Sequence, residues 1–282
     1  MTTLDGAVGR LVVCPTPIGN LGDITLRVLD ALRAADAIAC EDTRRTRVLL
    51  DRYEIDAKLV SYHEHNERER AGELVGRLRG GAVVALVSDA GMPLVSDPGW
   101  ALLQECLASD IPVEVLPGPS SVLTALVASG LPAERWRFVG FLPRRGAASK
   151  RAELERVFSE CPETLVAFES PGRLPATLEV LAALDPERAV VVCRELTKLH
   201  EEVRRGSAVE LAVHYAQHSP RGEIVLVVGA AAPANVDRDE ALAALRALVD
   251  AGARPRPAAA VVAKLTGVGA NDLYRATLSK GT

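Results

Sequence analysis

Short β-branched runs alternate with longer amphipathic stretches, and this alternation constrains the fold more than any other feature of the chain. Residues 10–16 read as a strand, 25–34 as a helix, 37–40 as a strand and 43–53 as a helix. Parallel strands need crossover connections of this length, so the rhythm predicts βαβ units and a parallel sheet. It continues with strands at 59–62, 83–88 and 112–116, each followed by a helix, from about Asn66, Gly99 and Ser120. Asn66 with Glu69 three positions on reads as a capping box.

Beyond Gly130-Leu131-Pro132 the rhythm pauses. A strand at 137–141 leads into a basic loop with Arg144, Arg145, Lys150 and Arg151 nearby. The second half resumes with a helix at 150–160, a strand at 165–168, a helix at 174–183, and strands at 189–193 and 202–206. A helix at 208–217 and a strand at 224–229 follow. Two strands in succession without a helix between them predict a mixed sheet. Past an Ala/Pro-rich linker at 230–235, Asp237 with Glu240 opens a helical tail. Within the tail, helices at 258–265 and 271–278 flank Gly267-Val268-Gly269, a helix-turn-helix pattern that also arises without DNA binding. The expected organisation is an N-terminal α/β domain over 1–132, a C-terminal α/β domain over 133–232 and a helical extension over 233–282.

At 282 residues with 48% hydrophobic, 25% charged and only 4% aromatic residues, the chain can bury a full core and suits alanine-rich helices on parallel strands. No apolar run spans a bilayer and no secretory leader is legible, so a cytoplasmic protein without a membrane partner is expected. The five cysteines (Cys14, Cys40, Cys106, Cys161, Cys193) show no C-x-x-C spacing and read as buried thiols. His63 and His65 share a strand face but lack a third ligand, so no metal is expected. Nothing matches a P-loop, a zinc motif or a Ser or Cys nucleophile with its base, which disfavours kinases and hydrolases. A net charge of −4 excludes a global basic field, so any nucleic-acid contact is local.

In open parallel sheets ligands bind beyond the carboxyl ends of the strands. The loops found there are unusual. The first strand exits into Pro15-Thr16-Pro17-Ile18-Gly19-Asn20, with stiff prolines and a glycine that permits close backbone approach. The 83–88 strand runs into a segment from Asp89 to Gly99 that holds two carboxylates, two prolines and further glycine. Asp89 suits a ribose or a cationic ligand, whereas Asp97 before Pro98 reads as a turn and helix-start device. Pro117-Gly118-Pro119 then presents Ser120 and Ser121 at a helix start. In the second half Glu169 to Arg173 and Arg194 to Glu201 place charges at strand ends and can complete a cleft from the other side.

Taken together, these loops resemble the S-adenosylmethionine-dependent tetrapyrrole methylase superfamily, in its small-subunit ribosomal RNA methyltransferase branch. The likeness rests on residues 15–25, Glu41-Asp42-Thr43-Arg44, Ser88-Asp89-Ala90-Gly91, Ser96-Asp97-Pro98-Gly99, Pro117-Gly118-Pro119-Ser120, Gly140-Phe141-Leu142-Pro143, Glu169-Ser170-Pro171 and Glu195-Leu196-Thr197-Lys198. It covers about residues 11–229, more weakly the tail. The resemblance implies a two-domain fold with a mostly parallel N-terminal sheet, a mixed C-terminal sheet and a homodimer. It implies S-adenosylmethionine bound by Pro17, Ile18, Gly19, Asp89, Ala90, Gly91, Met92, Ser120, Ser121, Phe168 and Gly222. The acceptor it implies is the ribose 2′-hydroxyl of a cytidine in the decoding region of 16S ribosomal RNA, in an assembled small subunit.

Four positions depart from the family pattern: Arg45 and Gly172 where histidine is usual, Met92 where threonine is usual, and Arg221 where lysine is usual. The missing hydroxyl at 92 and imidazole at 172 are therefore not essential here unless another group substitutes. Glu195, Glu169 and Glu41 are candidate carboxylates for assisting a hydroxyl nucleophile. Glu195 and Lys198, which share one short loop, are the expected catalytic pair. Arg44, Arg144 and Arg173 are the expected RNA contacts. Two other readings compete: a tetrapyrrole C-methyltransferase, and a non-catalytic RNA-binding factor of ribosome assembly.

Overall fold

A computed structural model describes residues 9–143, 147–159, 161–231 and 238–278. The first ten elements are β1 (Arg10–Val13), α1 (Leu26–Ala34), β2 (Ala37–Cys40), α2 (Thr43–Arg52), β3 (Leu59–Ser61), α3 (Glu67–Arg79), β4 (Val83–Leu86), α4 (Trp100–Ala108), β5 (Val113–Val115) and α5 (Ser121–Ser129). The five strands form one sheet in the order β3-β2-β4-β1-β5, and every pairing is parallel. Neighbouring side chains on a strand point to opposite faces, so Leu11, Ala39 and Val84 enter one core with α3 and α4, while Val12, Ile38 and Ala85 enter another with α1 and α2. That two-sided burial explains why these strands read as continuous apolar runs. β1 connects leftward to β2 and β4 connects rightward to β5, so the adjacent β1 and β4 mark the switch point at which ligands are expected.

Helix starts follow local chemistry. The Thr25 hydroxyl accepts from the Val28 amide at 3.2 Å, and Asp42 accepts from the Arg44 amide at 2.8 Å. At Asn66 the capping box does not form. Its Oδ1 accepts instead from the His63 amide at 2.9 Å and its Nδ2 donates to the Ser61 carbonyl at 3.2 Å, which closes the turn after β3 and leaves no acceptor for α3.

The second half comprises β6 (Trp136–Phe141), α6 (Ala147–Ser159), β7 (Thr164–Glu169), α7 (Leu174–Leu184), β8 (Ala189–Arg194), β9 (Glu202–Ser207), α8 (Ala208–Gln217) and β10 (Ile224–Val228). Its sheet runs β6-β7-β10-β8-β9, with β6 parallel to β7 and the other pairs antiparallel, the mixed sheet expected of consecutive strands. Leu174, Leu178, Leu181, Leu211 and Tyr215 cover one face. The other face is covered by α5, through Val122, Ala125 and Leu126, against Val166, Val191, Val225 and Val227. Ile18 from the β1 exit loop joins the same cluster, so the two sheets share an apolar seam.

The tail forms α9 (Arg238–Asp250), α10 (Pro255–Thr266) and α11 (Ala270–Leu278), closed on a core of its own around Leu245, Ala259, Val262 and Leu273. Gly267, left-handed at φ +75°, ends α10 and sets up the helix-turn-helix bend. The helix start expected at Asp237 lies outside the described residues. No described helix is long and apolar enough to cross a membrane. All five cysteines are buried free thiols.

Candidate active site

Two turns meet at the switch point. Thr16 and Gly91 exchange both backbone hydrogen bonds, each 2.9 Å, so the exits of β1 and β4 form a short antiparallel bridge. The Thr16 hydroxyl adds a 3.0 Å bond to the Ser88 carbonyl. Beside this bridge opens a cleft of about 420 Å³, walled by strand-end loops of both sheets. That volume falls within the range of small-molecule sites.

One wall is apolar: Ile18, Val122, Phe168, Leu196 and Val225. Phe168 is flanked by Phe138 and Phe141 at ring separations of 5.0 and 5.3 Å, tilted as aromatic pairs prefer. The opposite wall is acidic: Glu41, Asp89 and Asp97, with Arg45 the cation among them. Asp89 accepts from the Asp42 amide at 3.0 Å and pairs with Arg45 at 3.4 Å, so it ties the β2 and β4 loops together. Among the described residues that line the cleft, Arg45 is the one cation.

Burial, reinforced by Glu41 and Asp89, pushes Asp97 up to about 7, and a Ser88 hydrogen bond only partly opposes the rise. Burial and Asp89 likewise push Glu41 upward. Asp97 was expected to be a turn device that starts a helix. Instead Gly99, at φ +135°, precedes α4 without any side-chain cap, and Asp97 faces the cleft. What hid it was its position before a proline, which mimics a turn. Its sequence signal would have been a second carboxylate in a loop already assigned to a ligand.

Of the expected donor-binding residues, Ile18, Asp89, Ala90, Gly91, Met92, Ser120, Ser121, Phe168 and Gly222 line the cleft. Ser120 caps α5, accepting from the Leu123 amide at 3.4 Å. Pro17 lines a smaller recess beside Arg45 and Asp89. Gly19 seats the loop of the second sheet: a Cβ there would lie 2.4 Å from Lys198 Cγ.

Glu195 and Lys198 sit beside the cleft but are not among the residues that line it. Lys198 Nζ donates to Glu195 at 2.9 Å and to Glu223 at 3.0 Å, and Glu195 accepts from the Glu223 amide at 2.9 Å. That amide and Lys198 hold Glu195 below the usual carboxylate range. Gly222 has φ +86° and a Cβ there would meet the Glu195 carboxyl at 2.4 Å, so the pair is packed over the turn that enters β10.

The three expected RNA contacts differ in fate. Arg44 is 89% exposed, its guanidinium paired with Asp42 at 2.8 Å. Arg144 lies outside the described residues. Arg173 is directed inward: it pairs with Glu169, donates to Ser170 Oγ at 2.7 Å and to the Leu142 and Pro143 carbonyls at 3.1 Å each. Arg173 thus turns toward the exit of β6, and it is not among the residues that line the cleft. Glu169 is equally committed, with Thr177 donating at 2.6 Å and the Ser170 amide at 2.7 Å, so it is not a free base. At Gly172 nothing lies within 4 Å of where a Cβ would sit. No cluster of three or more His, Cys, Asp or Glu residues that could hold a metal occurs among the described residues.

A parallel α/β sheet joined to a mixed sheet, with an aromatic and acidic cleft at the switch point, defines a class of two-sheet enzymes that bind a small ligand with both apolar and cationic parts. The chain belongs to the family Tetrapyrrole (Corrin/Porphyrin) Methylases, which matches residues 10–212. It is similar to the Ribosomal RNA small subunit methyltransferase I of Mesorhizobium japonicum, with 48% identity over 95% of this chain and 91% of that one. It is likewise similar to the protein of the same name from Micromonospora olivasterospora, with 46% identity over 94% and 85% of the two chains. Among solved structures, uroporphyrin-III C-methyl transferase from Thermus thermophilus complexed with S-adenyl homocysteine superposes with a TM-score of 0.56. It is 22% identical and the match covers 78% of this chain and 97% of that one, a likeness of fold.

Proposed function

We propose that this protein is an S-adenosylmethionine-dependent methyltransferase that modifies the ribose 2′-hydroxyl of a cytidine in the decoding region of 16S ribosomal RNA, within an assembled small subunit. The observation that carries the reading is the two-sided cleft at the switch point. Its apolar wall around Ile18, Phe168 and Leu196 suits a purine, and its acidic wall suits a sulfonium and an ammonium group. The donor, when bound, supplies an activated methyl group.

The chain's own residues position and shield. Asp89 with Arg45 fixes the β2 and β4 loops against each other, and Glu195 with Lys198 fixes the turn at Gly222 and Glu223. Alignment of this kind is worth about 7–11 kcal/mol of a barrier. We assign Glu195 and Lys198 to positioning, since each is already bonded behind the cleft wall. Only a ribose need enter; phosphates stay at the rim, where Arg44 is exposed. The acidic wall disfavours a polycarboxylate tetrapyrrole, and a cleft of small-molecule size disfavours a purely RNA-binding factor.

A homodimer fits the outer face of α5, where Leu123 and Val127 sit one turn apart at 53% and 78% exposure. Work on ribosomal subunits puts the enzyme in the cytoplasm. The test is label transfer from the donor to small subunits, offered in competition with a tetrapyrrole. Label in 16S RNA supports the reading; label only in the tetrapyrrole, or none, overturns it.

A further inference from the structure

We propose that Asp97 is the proton acceptor of this site, taking the proton of the attacking hydroxyl as the methyl group is transferred. This rests on the methyltransferase reading above. Among the described residues, the carboxylates around the cleft are held by hydrogen bonds or ion pairs, except Glu41, where β2 exits, and Asp97, in the loop after β4. Asp89 is held by Arg45 and the Asp42 amide, Glu169 by Arg173 and Thr177, and Glu223 and Glu195 by Lys198. Asp97 forms no ion pair with a cation among the described residues, and the Ser88 hydroxyl beside it, which donates to the Gly91 carbonyl at 3.2 Å, only partly opposes its rise.

The backbone holds it in place. Leu94 and Ser96 both adopt left-handed conformations, at φ +69° and +68°, which non-glycine residues rarely take, and Gly99 follows at φ +135°. The segment is thus folded back so that Val95, Ser96 and Asp97 line the cleft opposite Phe168 and Leu196. Facing Asp97 from neighbouring elements are Glu41 after β2, Asp89 after β4 and Arg45 on α2. Asp42 and His63 act on Glu41, and Glu67 at the start of α3 accepts from the Gly99 amide at 3.3 Å.

In the step, Asp97 receives the hydroxyl proton while the hydroxyl oxygen bonds the methyl carbon. The sulfur–carbon bond breaks with its electron pair passing to sulfur, which leaves a neutral thioether, and Asp97 later releases the proton to water. A carboxylate whose affinity for protons is raised toward neutrality accepts one better than an ordinary aspartate does, and the geometry supplies such a group.

The test compares the wild-type protein with Asp97→Asn and Asp97→Glu, in single-turnover transfer to small subunits from acid to alkaline pH, alongside calorimetric titration with the donor. Asp97→Asn should bind the donor within about threefold of wild type yet transfer at least about 100-fold more slowly, and lose the acid limb of the rate profile. Asp97→Glu should regain part of the rate and the limb. Donor binding near neutral pH should release protons from the wild type and not from Asp97→Asn. The proposal fails if Asp97→Asn keeps the wild-type rate and limb, if its donor affinity falls as far as its rate, or if Asp97→Glu is no faster than Asp97→Asn. Absence of transfer by the wild type would instead overturn the functional reading itself.

Discussion

Glu169 at the end of β7 and Arg173 just before α7 form an ion pair in which the carboxylate side chain is fully buried and the guanidinium side chain is 20% exposed. The guanidinium also holds the carbonyls of Leu142 and Pro143, so it clips β6's exit to β7. Removing one partner of such a pair strands a buried charge. Arg173→Ala should cost about 3–5 kcal/mol in urea denaturation. The salt dependence of RNA affinity should change little, since the guanidinium is bonded inward to Glu169, Ser170 and the β6 exit.

Arg44 gives the opposite pattern. It is exposed and sits at the N-terminal end of α2, paired with Asp42 at the surface. Arg44→Ala should leave the urea midpoint unchanged, because exposed pairs contribute little to stability. Affinity for small subunits should fall and the slope of log affinity against log salt should shrink by about one contact. An unchanged salt slope would remove Arg44 from the RNA interface.

The bridge between Thr16 and Gly91 predicts a distinct defect. Gly91 has φ +83°, with Ile18 Cγ2 3.4 Å from the position of a Cβ. Gly91→Ala should cost about 1–2 kcal/mol from the left-handed backbone. It should also weaken donor binding, because the loop it bridges lines the cleft. Thermal denaturation and donor titration on the same variant measure both.

Asp97 predicts how stability depends on pH. Its affinity for a proton rises from an ordinary value of 3.8 to about 7 on folding. Between those values the folded chain holds more protons than the unfolded chain, so this group's contribution to stability is present below about pH 4 and is lost as pH rises through about 7. Urea denaturation across that window should show the loss in the ligand-free wild type and a flatter profile in Asp97→Asn. Parallel profiles would contradict the burial argument.

Much of this architecture is legible in the sequence because both faces of the first sheet are buried. Residues such as Val12, Ile38 and Ala85 give uninterrupted apolar runs, and the intervening helices carry their own caps at Thr25 and Asp42. The consecutive β8 and β9 announce the mixed sheet. Local rules fail where a side chain has a longer-range choice. Asn66 turns back to His63 rather than forward to its helix, and Arg173 reaches across 31 positions to Leu142 rather than out to solvent. Asp97 looks like punctuation before Pro98, and only its burial in the folded loop, close to Glu41 and Asp89, reveals a carboxyl pushed toward its neutral form. Glu195 and Lys198 are neighbours of the cleft, but which way their charges point depends on Glu223, 28 positions beyond Glu195.

Delivery of a methyl group from the cleft at the Thr16–Gly91 bridge to a ribose oxygen is the function proposed for this protein. Incubating the protein with isotopically labelled S-adenosylmethionine and small subunits, followed by digestion of the 16S RNA to nucleosides and mass spectrometry, tests it directly. Label on the ribose of cytidine, appearing at least about 100-fold more slowly when Asp97→Asn replaces the wild type, is the predicted result. Label on a base carbon or nitrogen, or RNA that remains unlabelled while the donor binds, would contradict it.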